Sequence, residues 1–579
     1  MKQYKGYGNY EKHPAIQIDT PACTGTQAIA EAIRARCTEK EKTIVVFECY
    51  PGTSRAEIDA IAAALSPCVA IDADECAFAP EKLTAAIKDD LTEDRVFGKM
   101  TTAHLSDYYE SDRIAAAQSL LAEVKSGICV VAGTGASLIA EGDVLVYCDL
   151  SRWEIQLRWR RGGSNWRCRN ADDPQLAKYK RGFFIEWRLA DRLKQKLLSK
   201  LDFLLDTNRK NEPKMIDGAA FRAALRETAH RPFRTVPYFD PGVWGGQWMK
   251  QVCGLPQDEA NFAWSFDGVP EENSLLFDCR GTIVEVPAMD LILFCPQALL
   301  GTRVYGRFGA EFPIRFDFLD TMGGGNLSLQ VHPLTEYIQR EFGMHYTQDE
   351  SYYLLDAEDD ACVYLGVKEG ICPQEMISAL KTAQETGEPF DAERFVNRFP
   401  AKKHDHFLIP AGTVHCSGKN AMVLEISATP YIFTFKLYDW GRLGLDGRPR
   451  PIHIEHGEQV IQFDRNTKWV EQNLVNAVQT IHEDEHVKIE HTGLHALEFI
   501  ETTRVWFDAP VTLPRNGSVS VLNLIEGSAA VISSPDGRFS PYTVHYAETF
   551  ILPMQAGEYQ IAPLSEGERC AVIRAEVRG

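Results

Sequence analysis

The sequence has no long apolar run, and its N-terminus lacks the shorter one that a secretory signal contains. No stretch approaches the ~18 apolar residues that a membrane-spanning helix needs. The first residues, MKQYKGYGNYEKHPAIQI, include no apolar core of the secretory kind. We therefore expect a cytoplasmic protein that does not bind a membrane.

Closely spaced cysteine pairs and an excess of positive charge are also missing. The 15 cysteines are scattered, odd in number and without a CxxC pair, which favours reduced thiols over a disulfide scaffold. The formal net charge is -20, so we expect no general binding to nucleic acid or to an anionic membrane. A small anionic substrate in a local basic pocket is compatible with this charge.

The composition is that of an ordinary globular protein, and its texture changes once along the chain. Short apolar strands such as TIVVFECY, GICVVAG and DVLVYCDL alternate with helical patterns up to about Thr207, which predicts a parallel sheet with covered faces. From RPFRTVPYFDPGVWGGQW onward, strands and turns dominate, which predicts β-sandwich or barrel domains. We predict an α/β domain over 1–230, a metal-binding β domain over 231–460 with a helical insertion near 372–400, and a C-terminal β domain over 461–579.

Four residues of the second region form a candidate metal site. In NLSLQVHP, the alternation of a strand places Gln330 and His332 on one face, and Pro333 ends the pairing. Glu350 begins the strand ESYYLLDA, and His415 follows a P-x-G-x-x-H turn into another strand. Two imidazoles, a carboxylate and an amide oxygen suit a divalent ion such as Zn²⁺, and the absence of cysteine favours a catalytic site over a structural one. The alternative is a satisfied polar pair at a strand end.

Ordered blocks of the β-rich region resemble the type I mannose-6-phosphate isomerases. They cover roughly 236–579 and include WGG, FPIRFDFLDT, LSLQVHP, DESYYLLDA, VYLGVKEG, IPAGTVH, LEIS and FKLYDWGR. The resemblance implies two cupin (jelly-roll) barrels with helical insertions. It also implies that a metal, Zn²⁺ or another divalent ion, is held by Gln330, His332, Glu350 and His415.

The reaction implied by the resemblance interconverts an aldose and a ketose, namely mannose 6-phosphate and fructose 6-phosphate or a related sugar phosphate. A base removes the C2 proton of the open-chain sugar, a Lewis-acid metal and nearby donors stabilise the developing charge, and the proton returns at C1. Lys436 and Asp439 are the candidates for proton handling. The alternative for both is a structural ion pair at the end of a strand.

The sequence departs from the family at three positions. Gln348 and Asp317 stand where the family usually has lysine, and Lys436 stands where it has arginine. Lysine supplies a point charge without the bidentate fork of arginine, and loss of a cation near the metal weakens the stabilisation of an enediolate. These differences predict a slower reaction, a different sugar, or a silent sugar-binding descendant.

The first third of the chain loosely resembles a P-loop nucleoside kinase, with a strand, a glycine-containing turn and a VYxD strand before an arginine-rich segment. The turn in FECYPGTSRAEI has neither the lysine nor the hydroxyl of a phosphate loop at the expected spacing, so we expect a degenerate kinase-like domain. The backbone of YPGTS could hold an anion. An arginine and tryptophan cluster could hold a phosphate or stack a base, or could be a solvated helix end; its members are Arg158, Trp159, Arg160, Arg161, Trp166, Arg167 and Arg169.

Three hypotheses follow. The chain is a metal-dependent sugar-phosphate isomerase, a regulatory protein whose degenerate cupin senses a sugar phosphate, or a bifunctional kinase–isomerase. The intact ligand set favours the first, Gln348 and Lys436 favour the second, and the missing phosphate-loop lysine opposes the third.

Overall fold

The computed structural model describes residues 3–37, 40–428, 433–444, 447, 449–493 and 495–579. The chain divides into two compact units. The α/β unit comprises Ala15–Thr228 and Glu271–Cys295, and the β unit comprises Met1–Pro14, Ala229–Pro270 and Pro296–Gly579. Strands and helices are numbered along the whole chain.

The α/β unit is built on a mostly parallel sheet with helices between its strands. Its strands are β1 (Ala15–Ile18), β2 (Cys23–Thr24), β3 (Lys42–Cys49), β4 (Val69–Asp72), β5 (Gly127–Gly133), β6 (Val144–Asp149), β7 (Phe203–Asp206), β8 (Lys214–Asp217), β11 (Ser274–Cys279) and β12 (Thr282–Pro287). Its helices are α1 (Thr26–Arg36), α2 (Arg55–Ala64), α3 (Pro80–Ala86), α4 (Lys88–Leu91), α5 (Ser111–Glu123), α6 (Ala136–Ile139), α7 (Arg152–Arg160), α8 (Gln175–Arg181), α9 (Trp187–Leu197), α10 (Gly218–Thr228) and α12 (Met289–Phe294).

The main sheet of the α/β unit has the order β2-β8-β7-β6-β3-β5-β4. The strands from β7 to β4 pair in parallel, which confirms the predicted parallel sheet. The central strand β3 is almost continuously apolar because both of its faces are covered, and Val45, Val46 and Phe47 are fully buried. Since β5 and β6 flank β3 on opposite sides, the chain reverses its winding there and leaves a crevice at the carboxyl ends of the strands.

The strands of the β unit lie in the part of the sequence where strands and turns were predicted to dominate. They are β9 (Tyr238–Asp240), β10 (Trp264–Gly268), β13 (Ile314–Asp320), β14 (Leu329–Val331), β15 (Glu350–Ala357), β16 (Cys362–Val367), β17 (Val396–Pro400), β18 (His406–Ile409), β19 (His415–Ser417), β20 (Ala421–Ala428), β21 (Phe435–Tyr438), β22 (Gln479–Glu483), β23 (Val487–Gly493), β24 (Ile500–Phe507), β25 (Val511–Leu513), β26 (Ser520–Glu526), β27 (Ala529–Ser533), β28 (Tyr542–His545), β29 (Thr549–Leu552), β30 (Tyr559–Pro563) and β31 (Cys570–Val577). Its helices are α11 (Trp248–Val252), α13 (Pro296–Leu300), α14 (Thr302–Phe308), α15 (Thr335–Phe342), α16 (Pro373–Thr386), α17 (Ala392–Phe395), α18 (Ile454–Val460) and α19 (Thr467–Asn473).

Four antiparallel sheets organise the β unit. The sheets β18-β15-β20-β13-β10-β9 and β17-β16-β19-β14-β21 contain the predicted metal ligands, and the sheets β22-β23-β24-β31-β26-β29 and β25-β30-β27-β28 form the C-terminal region around an apolar core. The β-rich texture is thereby confirmed, whereas the assignment to two cupin barrels stays a prediction. Helices α16 and α17 occupy the region of the predicted insertion, whose last five residues form β17.

The three predicted domain boundaries stay a prediction. The two predicted β domains fall in the β unit except for Glu271–Cys295, which belongs to the α/β unit, and the β unit also includes Met1–Pro14. Among the described residues, no helix is long and apolar enough to cross a membrane.

Candidate metal centre

Three of the four predicted ligands come together in the interior of the β unit. Ligand atoms of His332, Glu350 and His415 lie within 4.8 Å of one another, and all three side chains are buried. The Nε2 atom of His332 is 2.7 Å from Oε2 of Glu350, and Nε2 of His415 is 3.5 Å from Oε1 of the same carboxylate. A group of this composition could hold one divalent ion.

The strands place these residues as the sequence predicts. Strand β14 ends at Val331, directly before His332, while Glu350 and His415 begin β15 and β19. Gln330 lies directly opposite His415 in the antiparallel pairing of β14 with β19, so the two side chains share a face.

Hydrogen bonds from the Nδ1 atoms of His332 and His415 orient the two rings so that their Nε2 atoms face the centre. Nδ1 of His332 lies 3.2 Å from the carbonyl of Phe433, and Nδ1 of His415 lies 2.9 Å from the carbonyl of Thr413. A carbonyl oxygen only accepts, so both Nδ1 atoms carry the proton and donate it. In the neutral rings this leaves the Nε2 lone pairs directed at Glu350, the arrangement by which proteins orient metal-binding histidines.

The carboxylate of Glu350 gives the test of whether the residues fit a metal. Nε2 of His332 and Oε2 of Glu350 lie 2.7 Å apart, a contact that requires a positive charge, which a proton on Nε2 or a bound cation supplies. Burial lowers the pKa of His332, but the charge of Glu350 outweighs burial, and the net shift is upward. The Oε1 atom is buried and receives no hydrogen bond from any residue that the structure describes. A buried acceptor without a donor is costly, and a divalent cation satisfies it.

Gln330 completes the predicted set from the side of His415. Its amide nitrogen lies 3.3 Å from Nε2 of His415. A half-turn about the last side-chain bond exchanges the amide nitrogen and oxygen, which would present an oxygen ligand at the same place.

The turn before His415 requires a glycine. Gly412 has φ +88°, and a Cβ atom there would lie 2.7 Å from Cγ of Gln462 and 2.9 Å from the carbonyl of Val460. Its N–H donates to the carbonyl of His332 over 2.9 Å, so the turn ties two predicted ligands together.

Arg465 holds the same turn from behind, and its role was not recognised in the sequence. It is buried, and its Nη1 donates to the carbonyls of Pro410 and Ala411, at 2.8 and 2.6 Å, and to the hydroxyl of Thr413 at 2.6 Å. The residue is 50 positions beyond His415 in a polar segment, so the local sequence contains no signal for this contact.

We expect Arg465→Met to weaken metal binding about tenfold to a hundredfold, because residues that orient metal ligands typically contribute that much to affinity. Arg515→Met is the matched control, since Arg515 also donates to backbone carbonyls, those of Ser518 and Pro553, in the C-terminal sheets. Zinc affinity measured by competition with a chromogenic chelator should fall only in the first variant. Equal affinities in both variants would show that Arg465 does not position the turn.

A cluster of charged side chains lies next to the three ligands. Nε2 of Gln348 donates to Oε2 of Glu350 at 3.1 Å and to Oε1 of Glu425 at 3.4 Å. Arg315 pairs with Glu425 and, at 3.1 Å, with Asp317. Asp317 and Glu425 lie directly opposite each other on β13 and β20, so Arg315 separates two carboxyl groups that share a face.

Burial dominates the electrostatics of this cluster. It raises the pKa of Asp317 to about 7 and raises that of Glu425 well above its ordinary range, against the opposing charge of Arg315. Asp317 and Gln348 were predicted to matter from the sequence, whereas Arg315 and Glu425 were not. The sequence does contain a signal for them. Charged residues interrupt the apolar strands FPIRFDFLD and VLEIS, and Arg315 and Asp317, two residues apart, lie on the same face of their strand.

Lys436 lies beside the predicted metal ligands. On β21 it pairs with Gln330 of β14, so Gln330 stands between Lys436 and His415 on one face of the sheet. Burial, and then the nearby charge of Arg450, lower the pKa of Lys436 to about 7. A lowered pKa is what allows a lysine to act as a base near neutral pH.

Asp439 has contacts of a different kind. Its carboxylate accepts from the hydroxyl of Ser328 at 2.7 Å, from Arg442 at 2.6 Å and from Arg450 at 3.1 Å. These contacts favour the alternative of a strand-end ion pair for Asp439.

The arginine and tryptophan cluster of the α/β unit separates into two groups. Arg161 and Arg169 are largely exposed and pair with Glu154 and Glu81, and Arg160 stacks over Trp153. The other members, Arg158, Trp159, Trp166 and Arg167, line a cavity.

Taken together, the antiparallel sheets and the buried group of two imidazoles and a carboxylate define a β unit with a candidate mononuclear metal centre. Known proteins are similar to it. Mannose-6-phosphate isomerase ManA of Bacillus subtilis (strain 168) is 24% identical over 331 residues, which are 57% of this chain and 95% of that protein. A protein-family model described as a domain of unknown function, DUF8485, matches residues 25–230.

Two solved structures resemble parts of the fold. The mannose 6-phosphate isomerase from Bacillus subtilis has a TM-score of 0.49 at 19% identity and covers 60% of this chain and 99% of its own. A zinc-bound mannose 6-phosphate isomerase has a TM-score of 0.45 at 14% identity and covers 60% of this chain and 100% of its own. By sequence, the chain is therefore similar to mannose-6-phosphate isomerases over more than half of its length.

Proposed function

We propose that this protein is a metal-dependent aldose–ketose isomerase that interconverts mannose 6-phosphate and fructose 6-phosphate or a related pair of sugar phosphates. The observation that carries the proposal is that ligand atoms of two buried histidines, His332 and His415, and of the buried carboxylate of Glu350 lie within 4.8 Å of one another. The sequence similarity to ManA supports the substrate class, since nearly the whole length of that isomerase is represented here.

In this proposal, His332, Glu350, His415 and the amide oxygen of Gln330 hold the metal. A divalent ion bound there supplies Lewis acidity that draws electron density from the oxygens at C1 and C2 of the open-chain sugar. The absence of cysteine from the set agrees with a catalytic centre, which keeps a position open to substrate.

Proton transfer is assigned to the groups around the ligands. Lys436, whose pKa is lowered to about 7, is the first candidate to take the C2 proton and return it at C1. Glu425 is the second, because Gln348 links its carboxyl group to Glu350. Asp439 is proposed to position Arg442 and Arg450 rather than to handle protons.

Two assignments of fold belong to the proposal. The paired antiparallel sheets of the β unit support two cupin barrels, and the order β7-β6-β3-β5-β4 with the turn after β3 supports a kinase-like origin of the α/β unit. Cytoplasmic localisation is likewise proposed.

A coupled assay tests the function. Purified protein should convert mannose 6-phosphate to fructose 6-phosphate, and Glu350→Gln should abolish the conversion while its circular dichroism spectrum stays native. Gln348, in place of a lysine, favours the second candidate function, a silent sugar-phosphate sensor. Calorimetric binding of mannose 6-phosphate without turnover would establish the sensor and reject the isomerase.

We expect no transfer or hydrolysis of ATP phosphate by the α/β unit. The turn after β3 has no lysine, and the carbonyl of Gly52 accepts from Arg158 at 2.9 Å. The start of α6 is already occupied, because Glu48 accepts from the N–H groups of Gly135 and Ser137 at 2.6 and 2.8 Å. Release of phosphate from ATP at the roughly 1–100 s⁻¹ of kinases, lost on Thr53→Ala, would contradict this expectation.

A further inference from the structure

A cavity of about 420 Å³ opens at the carboxyl ends of the parallel strands of the α/β unit. Cys49 and Tyr50 enter its wall from the end of β3, Asp74 from the turn after β4, and Thr134 from the turn after β5. This is the crevice where the sheet reverses its winding, the place at which open α/β sheets bind small ligands. Its volume falls within the roughly 300–1,000 Å³ of ligand sites.

Two indole rings form part of this wall, and each is backed by a second ring. Trp159 stacks on Trp187 with centroids 5.7 Å apart and planes 8° apart, and Trp166 stacks on Tyr109 at 6.3 Å and 23°. Nε1 of Trp166 donates to Asp74 at 2.8 Å, which fixes the plane of the ring. Rigid indoles in a cavity wall are suited to a flat ring as ligand.

Three guanidinium groups also line the cavity, but they differ in the protein groups that already bind them. Arg158 donates to the carbonyl of Gly52 at 2.9 Å and to that of Thr207, so it braces the wall. Arg55 is held by Asp72 at 2.8 Å and by Asp74 at 2.9 Å.

Arg167 is the lining guanidinium whose acidic partner is the most exposed. Its Nε donates to the carbonyl of Phe78 at 3.1 Å, and its acidic partner at 2.8 Å is Glu75, whose side chain is 68% exposed. The Arg167 side chain is 14% exposed, so its charge needs an anionic partner, whereas Glu75 regains water if a ligand anion replaces it. Arg167 is therefore the anion contact that the wall offers.

We propose that this cavity binds a small flat-ring anion of the class of nucleoside monophosphates, with the ring against Trp166 and the phosphate on Arg167. The ligand is bound without phosphoryl transfer, since the turn after β3 has no lysine to hold a longer phosphate chain. The site lies wholly within the α/β unit and does not depend on the function proposed for the metal centre.

Isothermal titration calorimetry of the full, zinc-loaded chain tests the proposal with three probes: adenosine 5′-monophosphate, adenosine and inorganic phosphate. We expect saturable binding of the monophosphate, at least about tenfold tighter than either part alone, because the ring and anion contacts act together. An excess of mannose 6-phosphate should leave this titration unchanged.

Two variants separate the contacts. Arg167→Gln should weaken binding of the monophosphate about tenfold or more and leave binding of adenosine unchanged. Trp166→Ala should weaken binding of both ligands. If the alanine variant does not fold, Trp166→Phe, which has a smaller ring, replaces it as the test of the ring contact. Arg169→Gln is the matched control, because Arg169 lies two residues further on, pairs with Glu81 at the surface and does not line the cavity.

The proposal is overturned if the folded chain gives no saturable heat with adenosine or uridine 5′-monophosphate at millimolar concentration. It is also overturned if Arg167→Gln and Arg169→Gln lose affinity equally, since that result indicates non-specific attraction. Competition by mannose 6-phosphate would place the bound phosphate at the metal centre instead and reject the site.

Discussion

His415→Ala is expected to yield protein without bound metal and without isomerase activity. The change removes one of two imidazoles whose Nε2 atoms face Glu350, and it leaves that buried carboxylate with less compensation. Metal content by inductively coupled plasma mass spectrometry should fall from about one ion per chain to near zero. The thermal midpoint should fall too, because a metal that binds only the folded chain stabilises it.

The control is His406→Ala. His406 is as buried as His415 and lies on β18, but none of the described residues hydrogen-bonds to its ring nitrogens, and burial lowers its pKa to about 3. This variant should lose stability through its cavity and keep full metal content. Full occupancy in purified His415→Ala would mean that the ligand assignment is wrong.

Lys436→Met is expected to lower kcat by on the order of a hundredfold while metal content and folding stay intact. The methionine keeps the length of the apolar stem and removes the amine of the residue that pairs with Gln330 across β21 and β14. Steady-state kinetics on mannose 6-phosphate with zinc-loaded protein measure the effect. Lys436→Arg introduces the guanidinium expected at this position from the resemblance to the isomerases and tests whether the surroundings tolerate the wider head group.

Lys403→Met is the matched control for Lys436. Lys403 also belongs to the β unit, but it pairs with Glu526, away from the ligands. If Lys436→Met keeps the kcat and KM of this control, Lys436 has a structural role, and Glu425 becomes the remaining candidate for proton transfer.

Much of the geometry of the candidate metal centre could be predicted because local patterns determine it. The pairing of β14 with β19 places Gln330 opposite His415, β14 ends at Val331, two residues before Pro333, and a turn that only glycine fits presents His415. Arg315 and Glu425 were missed because their meeting depends on the register of β13 with β20, strands separated by about a hundred residues.

The excursion Glu271–Cys295 could not be predicted for a similar reason. Its strand β11 pairs in parallel with β1, with Ile16 opposite Phe277, and its helix α12 contributes Asp290, which binds the buried Lys194 at 2.7 Å. Glu271 binds Arg152 at 2.7 Å. Each contact joins residues far apart in sequence, so the local pattern assigns the segment to the β-rich region in which it is embedded.

The most direct test of the central claim is the interconversion of fructose 6-phosphate and mannose 6-phosphate by one preparation, first stripped of metal and then restored with one equivalent of Zn²⁺. Proton NMR of the sugar mixture measures it without coupling enzymes. We predict no conversion by the stripped protein and conversion to the equilibrium mixture after zinc is restored. Equal conversion in both states, or none in either by protein shown to be folded and zinc-loaded, would contradict a metal-dependent isomerase.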